Sequence, residues 1–165
     1  MSKVWAKNSE EAVIGKDKFG FACVAVVAAI DINGKLVSLV TSPKSIKEPQ
    51  FKKMLKNIQK NMGRRKVFIF LDNLRLHHMK NIKAEARRRN QELVFNASYS
   101  SEFNPVERLW ALAKHRFSRD IVTESTWKSQ AEIEAIVVRS LLMVNELHLA
   151  KHVNSCIRRM SQELS

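Results

Sequence analysis

Ten consecutive apolar residues, Phe21 to Ile30, run between Gly20 and Asp31 with no polar interruption. A strand that shows one face to water alternates with period two, so an unbroken run suits a central strand covered on both faces. Asn33-Gly34 follows, the strongest short hairpin signal, and Lys35 to Thr41 is expected to be the return strand. Val67 to Asp72 is a second uninterrupted apolar run, ending in an acid, and reads as another fully buried strand. Between them, Phe51, Met54, Leu55, Ile58 and Met62 form one stripe of a helix over Pro49 to Met62, stopped by Gly63. A basic helix over His78 to Asn90, a short strand over Glu92 to Asn96 and a helix from Asn104 follow. A helical tail over Thr126 to Met160 is expected to break near Asn145. Strands alternating with helices, after an early hairpin, predict an α/β domain with a mixed sheet flanked by helices.

The charge narrows the partners. Lys and Arg number 29 and Asp and Glu 16, a net charge of +13, which favours a polyanion. No apolar run is long enough to span a bilayer, and the start lacks a signal-peptide layout, so a membrane partner is not expected. Hydrophobic residues make up 45% and charged residues 27%, an ordinary globular balance. Cys23 and Cys156 have no ligand-spaced neighbours, and both are expected to be small core residues of a reduced, intracellular protein.

Asp72 ends its strand where ligand sites of open α/β sheets gather; the bland reading is a turn made with Asn73. Glu107 lies in Asn104-Pro105-Val106-Glu107, which a helix cap alone would explain. With their flanks the two acids say more. Asp72, the first residue of Asp72-Asn73-Leu74-Arg75-Leu76-His77, is separated by 34 residues from Glu107, which sits in a stretch from Tyr99 through Asn104-Pro105-Val106-Glu107 to Trp110 and Lys114. This resembles the catalytic domain of the mariner-like DDE/D transposases and their bacterial insertion-sequence relatives. That family has Asp-Asn at a strand end with His four residues after the Asn. It then has a Tyr-Ser-Pro-like loop, Asn-Pro-x-Glu, a Trp three residues after the Glu, and a later Lys. Only the loop Pro departs, as Ser101. With Trp5-Ala6, Val24 to Lys35 and Phe51 to Ile58, the likeness runs from Trp5 to Phe117.

The resemblance implies a ribonuclease-H-like fold and DNA strand cleavage and transfer with Mg²⁺ or Mn²⁺. Two such ions, about 3.5–4 Å apart, clamp the attacking and leaving oxygens of an in-line displacement. It makes Asp72 and Glu107 catalytic residues and metal ligands. Asn73, His77, Asn104 and Lys114 become groups that orient ligands or substrate, and Trp110 is expected in the core. The family's first acidic ligand sits on a strand before the Trp5 segment. Since the chain begins at Met1, that strand and its acid are expected to be absent, which leaves metal weakly bound and cleavage impaired. Asp31 is the low-ranked substitute, beside a turn.

Lys52, Lys53, Lys56, Arg64, Arg65, Arg87, Arg88 and Arg89 flank Asp72 in sequence and are expected to contact DNA phosphates. The expected organisation is a partial catalytic core over 1–118 with a helical extension over 119–165 packed on it. DNA is the expected partner, with no small-molecule substrate, self-association left open, and a nuclear location in a eukaryotic host. Two other readings stand beside the transposase-derived one: a non-enzymatic DNA-binding remnant, and a small nuclease with Asp31 as its third carboxylate.

Overall fold

The computed structural model describes residues 23–97, 100, 103–123 and 129–163. The readings on Trp5-Ala6, on the run up to Ala22 and on Tyr99 and Ser101 lie outside these. The elements, in order, are β1 (Ala25–Ile30), β2 (Leu36–Ser42), α1 (Glu48–Met62), β3 (Val67–Leu71), a 3-10 turn (Arg75–His78), α2 (Lys80–Arg88), β4 (Gln91–Phe95), α3 (Val106–Thr123), α4 (Gln130–Leu142) and α5 (Glu146–Glu163). The tail breaks between α4 and α5, at residues 143–145. The basic helix is shorter than expected: His78 closes the preceding 3-10 segment, and α2 runs only from Lys80 to Arg88. No described helix is long and apolar enough to cross a membrane.

β1 and β2 form an antiparallel hairpin, and β3 and β4 form a parallel pair. Among the described residues no ladder joins the two pairs, so the expected mixed sheet is two separate ladders. The β3–β4 crossover depends on Asn90, whose left-handed conformation (φ 57°) ends α2, and whose carbonyl receives Val67 N–H at 3.1 Å.

Helices cover β1 on both faces. Val27 and Ala29 pack toward α1 and α2 with Phe51, Met54 and Leu55, while Val26, Ala28 and Ile30 pack toward Leu109, Leu141 and Leu149 of α3–α5. This two-residue alternation between two helical layers explains the unbroken apolar run. Every β1 residue is nonetheless only half-buried. β3 departs further from expectation. Ile69 and Leu71 are buried against α1 and α2, but Phe68, on the other face, is 63% exposed. The core made by α3–α5 includes no residue of β3 or β4. Cys156 is buried as expected, whereas Cys23 is exposed, just before β1 begins.

Candidate functional site

Asp72 leaves the end of β3 and is held from below by His77. The 3-10 turn folds His77 back so that its Nδ1 lies 2.9 Å from Asp72 Oδ1 and 3.2 Å from the Asp72 carbonyl. The ring is buried, 4.7 Å from Phe51 centroid to centroid, so its position is set by the core of α1. Asp72 Oδ1 also accepts from Leu74 N–H at 3.3 Å, so the turn role and the site role coexist. The Asp72 side chain is 58% exposed.

Asn73 and Asn96 tie the ends of the parallel strands together. Asn73 Nδ2 donates to Asn96 O at 2.5 Å, and Asn96 N–H donates to Leu71 O at 2.8 Å. Asn73, itself exposed, thus braces the frame around Asp72. Its Oδ1 meets His78 Nε2 at 3.3 Å, and His78 stacks on Phe95 at 4.2 Å. The sequence reading passed over His78 and Asn96. Their only signals were a doubled His and an Asn just past a strand, and neither is specific.

Asn104 is buried and starts α3, its Oδ1 accepting from Val106 N–H at 3.4 Å and its carbonyl from Glu107 N–H at 3.1 Å. Asn96 Nδ2 donates to Ser100 O, and Phe103 N–H donates to Ser100 O at 3.2 Å, so a short hydrogen-bonded path leads from the strand ends beside Asp72 to the start of α3. Glu107 sits exposed in that turn. Lys114, two turns on, is also exposed. Trp110 packs into the core of α3–α5.

Asp31 is placed elsewhere. Its Oδ1 accepts from Asn33 N–H and Lys35 N–H, both at 2.9 Å, inside the hairpin turn. That turn lies by the carboxyl end of α1, where Asn61 Nδ2 donates to Val37 O at 2.6 Å. Asp72 lies by Phe51, near the amino end. About 15 Å of helix separates Phe51 from Asn61 at 1.5 Å rise per residue. β1 and β3 thus run in opposite directions, and Asp31 ends up at the far end from Asp72. Among the described residues no group of three or more His, Cys, Asp or Glu could hold a metal. Asp72 and Glu107 are hard oxygen donors suited to Mg²⁺ or Mn²⁺, but a pair of carboxylates fits a shared site with substrate phosphate better than a self-contained one.

The basic residues divide into exposed and engaged. Lys53, Lys56, Arg64, Arg65 and Arg87 are exposed. Lys52 pairs with Glu48 at 2.6 Å. Arg88 and Arg89 both pair with Glu85, at 2.6 and 2.5 Å, and Arg89 also reaches Gln59 Oε1 at 2.8 Å, bracing α2 against α1. Hydrogen bonds from Arg88 and then Arg89, opposed by burial, hold the Glu85 carboxyl below its ordinary value. Arg89 is therefore a structural brace and not a free phosphate contact. Lys83 and Arg87 line a groove of about 490 Å³ along β4 that reaches Phe95, beneath His78.

The fold is ribonuclease-H-like, as its solved neighbours show. The chain is similar to the catalytic domain of the Mos1 mariner transposase (12% identity, TM-score 0.60, 82% of this chain and 77% of that one). It is similar to the chain in the Mos1 strand transfer complex (15%, TM-score 0.67, 96% and 47%). It is also similar to a chain of the simian T-cell lymphotropic virus intasome in complex with PP2A regulatory subunit B56 gamma (11%, TM-score 0.52, 79% and 50%). It spans 40% of the transposase chain in the Mos1 paired-end complex. No curated protein matches it in sequence. A family model described as DDE superfamily endonuclease matches residues 2–128, and on that match the chain belongs to the DDE superfamily endonucleases.

Proposed function

We propose that this chain is a transposase-derived, DNA-binding DDE domain in which Asp72 and Glu107 hold a divalent cation against a DNA phosphate, with strand cleavage and transfer impaired. The observation that supports this reading is the hydrogen-bonded path Asn73–Asn96–Ser100–Phe103, which leads from the turn beside Asp72 to the start of the helix that carries Glu107. His77 holds one oxygen of Asp72, leaving the other free to face substrate. Among the described residues no side chain holds Glu107, whose N–H donates to Asn104 O, so its carboxylate can turn toward the same phosphate. Lys83 and Arg87 line the groove that would carry the phosphate backbone toward His78 and Asp72. A bound Mg²⁺ or Mn²⁺ would supply charge relief on the phosphorus. Impairment follows from the position of Asp31, locked in a turn at the wrong end, which also argues against the nuclease reading that uses it.

A supercoiled plasmid incubated with the chain and Mg²⁺ or Mn²⁺ is expected to stay supercoiled, at the rate seen with Asp72→Ala. Metal-dependent nicking that disappears in Asp72→Ala would refute the impairment. Nicking abolished by Asp31→Asn would restore the nuclease reading.

A further inference from the structure

His77 and His78 are adjacent in the 3-10 turn, yet they go to different supports. His77 is buried against Phe51 beside Asp72, whereas His78 is exposed and stacks on Phe95, its ring plane 19° from parallel. The Asn73 amide is held at both ends: Oδ1 meets His78 Nε2, and Nδ2 donates to Asn96 O. The second contact fixes the chemistry of the first. A backbone carbonyl only accepts, so the amide nitrogen must face Asn96 and the amide oxygen must face His78. That oxygen also only accepts, so His78 Nε2 carries a proton. A flipped Asn73 would set two acceptors against each other at Asn96.

An exposed hydrogen bond competes with water and by itself holds little. Here the stack on Phe95 has already fixed the ring, so making the bond costs less order. Phe95 and Asn96 are neighbours at the end of β4, so His78 and Asn96 close a ring of contacts around Asn73. From Asn96 the path runs through Ser100 O to Phe103, the residue before Asn104. We infer that His78 is a positioning residue: through Asn73 it sets where the start of α3, and with it Glu107, stands relative to Asp72. Among the described residues His78 bonds to neither acid. For its consequence the inference rests on the metal reading, since a shift of about 1 Å between two carboxylates spoils a shared site.

The test uses the whole chain. His78→Phe keeps an aromatic ring against Phe95 and removes the donor; His78→Ala leaves a gap that free imidazole can fill. Mn²⁺ affinity, with a short DNA duplex present, is expected to fall about tenfold in both variants, the low end of what losing a supporting hydrogen bond costs a metal site. Added imidazole is expected to restore affinity in His78→Ala and not in His78→Phe, which loss of packing alone would not produce. Imidazole nitrogen resonances of the metal-free chain, taken where the ring is neutral, are expected to place the His78 proton on Nε2. A proton on Nδ1, or wild-type affinity in His78→Phe where Asp72→Asn loses it, would overturn the inference. So would the absence of imidazole rescue. If Asp72→Asn leaves affinity unchanged, the metal reading fails, and exchange of the Phe103 N–H in the metal-free chain decides the inference: faster in His78→Phe supports it, and an equal rate overturns it.

Discussion

Gly34→Ala is expected to destabilise the fold by roughly 2–5 kcal/mol, combining the left-handed backbone cost with overpacking. Gly34 has φ 76°, which an L-residue adopts only with strain. A Cβ there would also stand 2.6 Å from Ala150 N and 2.7 Å from Leu149 Cβ. Those atoms belong to the first turns of α5, and Leu149 is 2% exposed, so α5 cannot rotate away without opening the α3–α5 core. Gly63 is the control for crowding. Its φ is 75° with ψ −164°, a backbone that also favours glycine, but nothing lies within 4 Å of its added Cβ. Gly63→Ala should cost only the backbone part, about 1–3 kcal/mol. Urea unfolding of both variants reads the difference directly. Equal midpoints would mean that the hairpin turn does not dock on α5, and that the two helical layers are not joined there.

DNA affinity is expected to fall about 500-fold between 50 and 200 mM salt if five phosphates are neutralised, at a log–log slope near −0.9 for each. The five cations argued for are Lys53, Lys56, Arg64, Arg65 and Arg87, all exposed and none in an ion pair among the described residues. Replacing any one of them by alanine should flatten the slope by about one unit. Arg89→Ala should behave differently. Its guanidinium is 16% exposed and bridges Glu85 to Gln59, so the change should lower the unfolding midpoint while leaving the salt slope unchanged. A flat salt profile would remove the phosphate interface, and a slope that responds to Arg89 as to Lys56 would erase the division between engaged and exposed cations.

Local periodicity carried much of the fold. The stripe from Phe51 to Met62 is α1, with Phe51, Met54, Leu55 and Ile58 buried, and the tail breaks at residues 143–145. The apolar run before Asp31 did signal helices on both faces of β1. Which strand edges meet was not legible, because side-chain patterning records faces and says nothing of backbone partners. The unbroken run of β3 reads as buried on both faces, yet Phe68 on one of them is 63% exposed. At the site, the strand end and helix start could be read from Asp72 and from Asn104-Pro105. The support of Asp72 by a buried His77 could not, since it depends on Phe51, distant in sequence. Nor could the engagement of Arg88 and Arg89, which depends on one carboxylate, Glu85, within a run of cations.

Mn²⁺ titration followed by electron paramagnetic resonance, with a short DNA duplex present, reads most directly whether Asp72 and Glu107 serve one cation. The account predicts a bound ion whose affinity falls at least about tenfold in Asp72→Asn and again in Glu107→Gln, each removing one of few oxygen ligands, and which is unmoved by Asp31→Asn. Undiminished affinity in Glu107→Gln, or a loss in Asp31→Asn equal to that in Asp72→Asn, would contradict it.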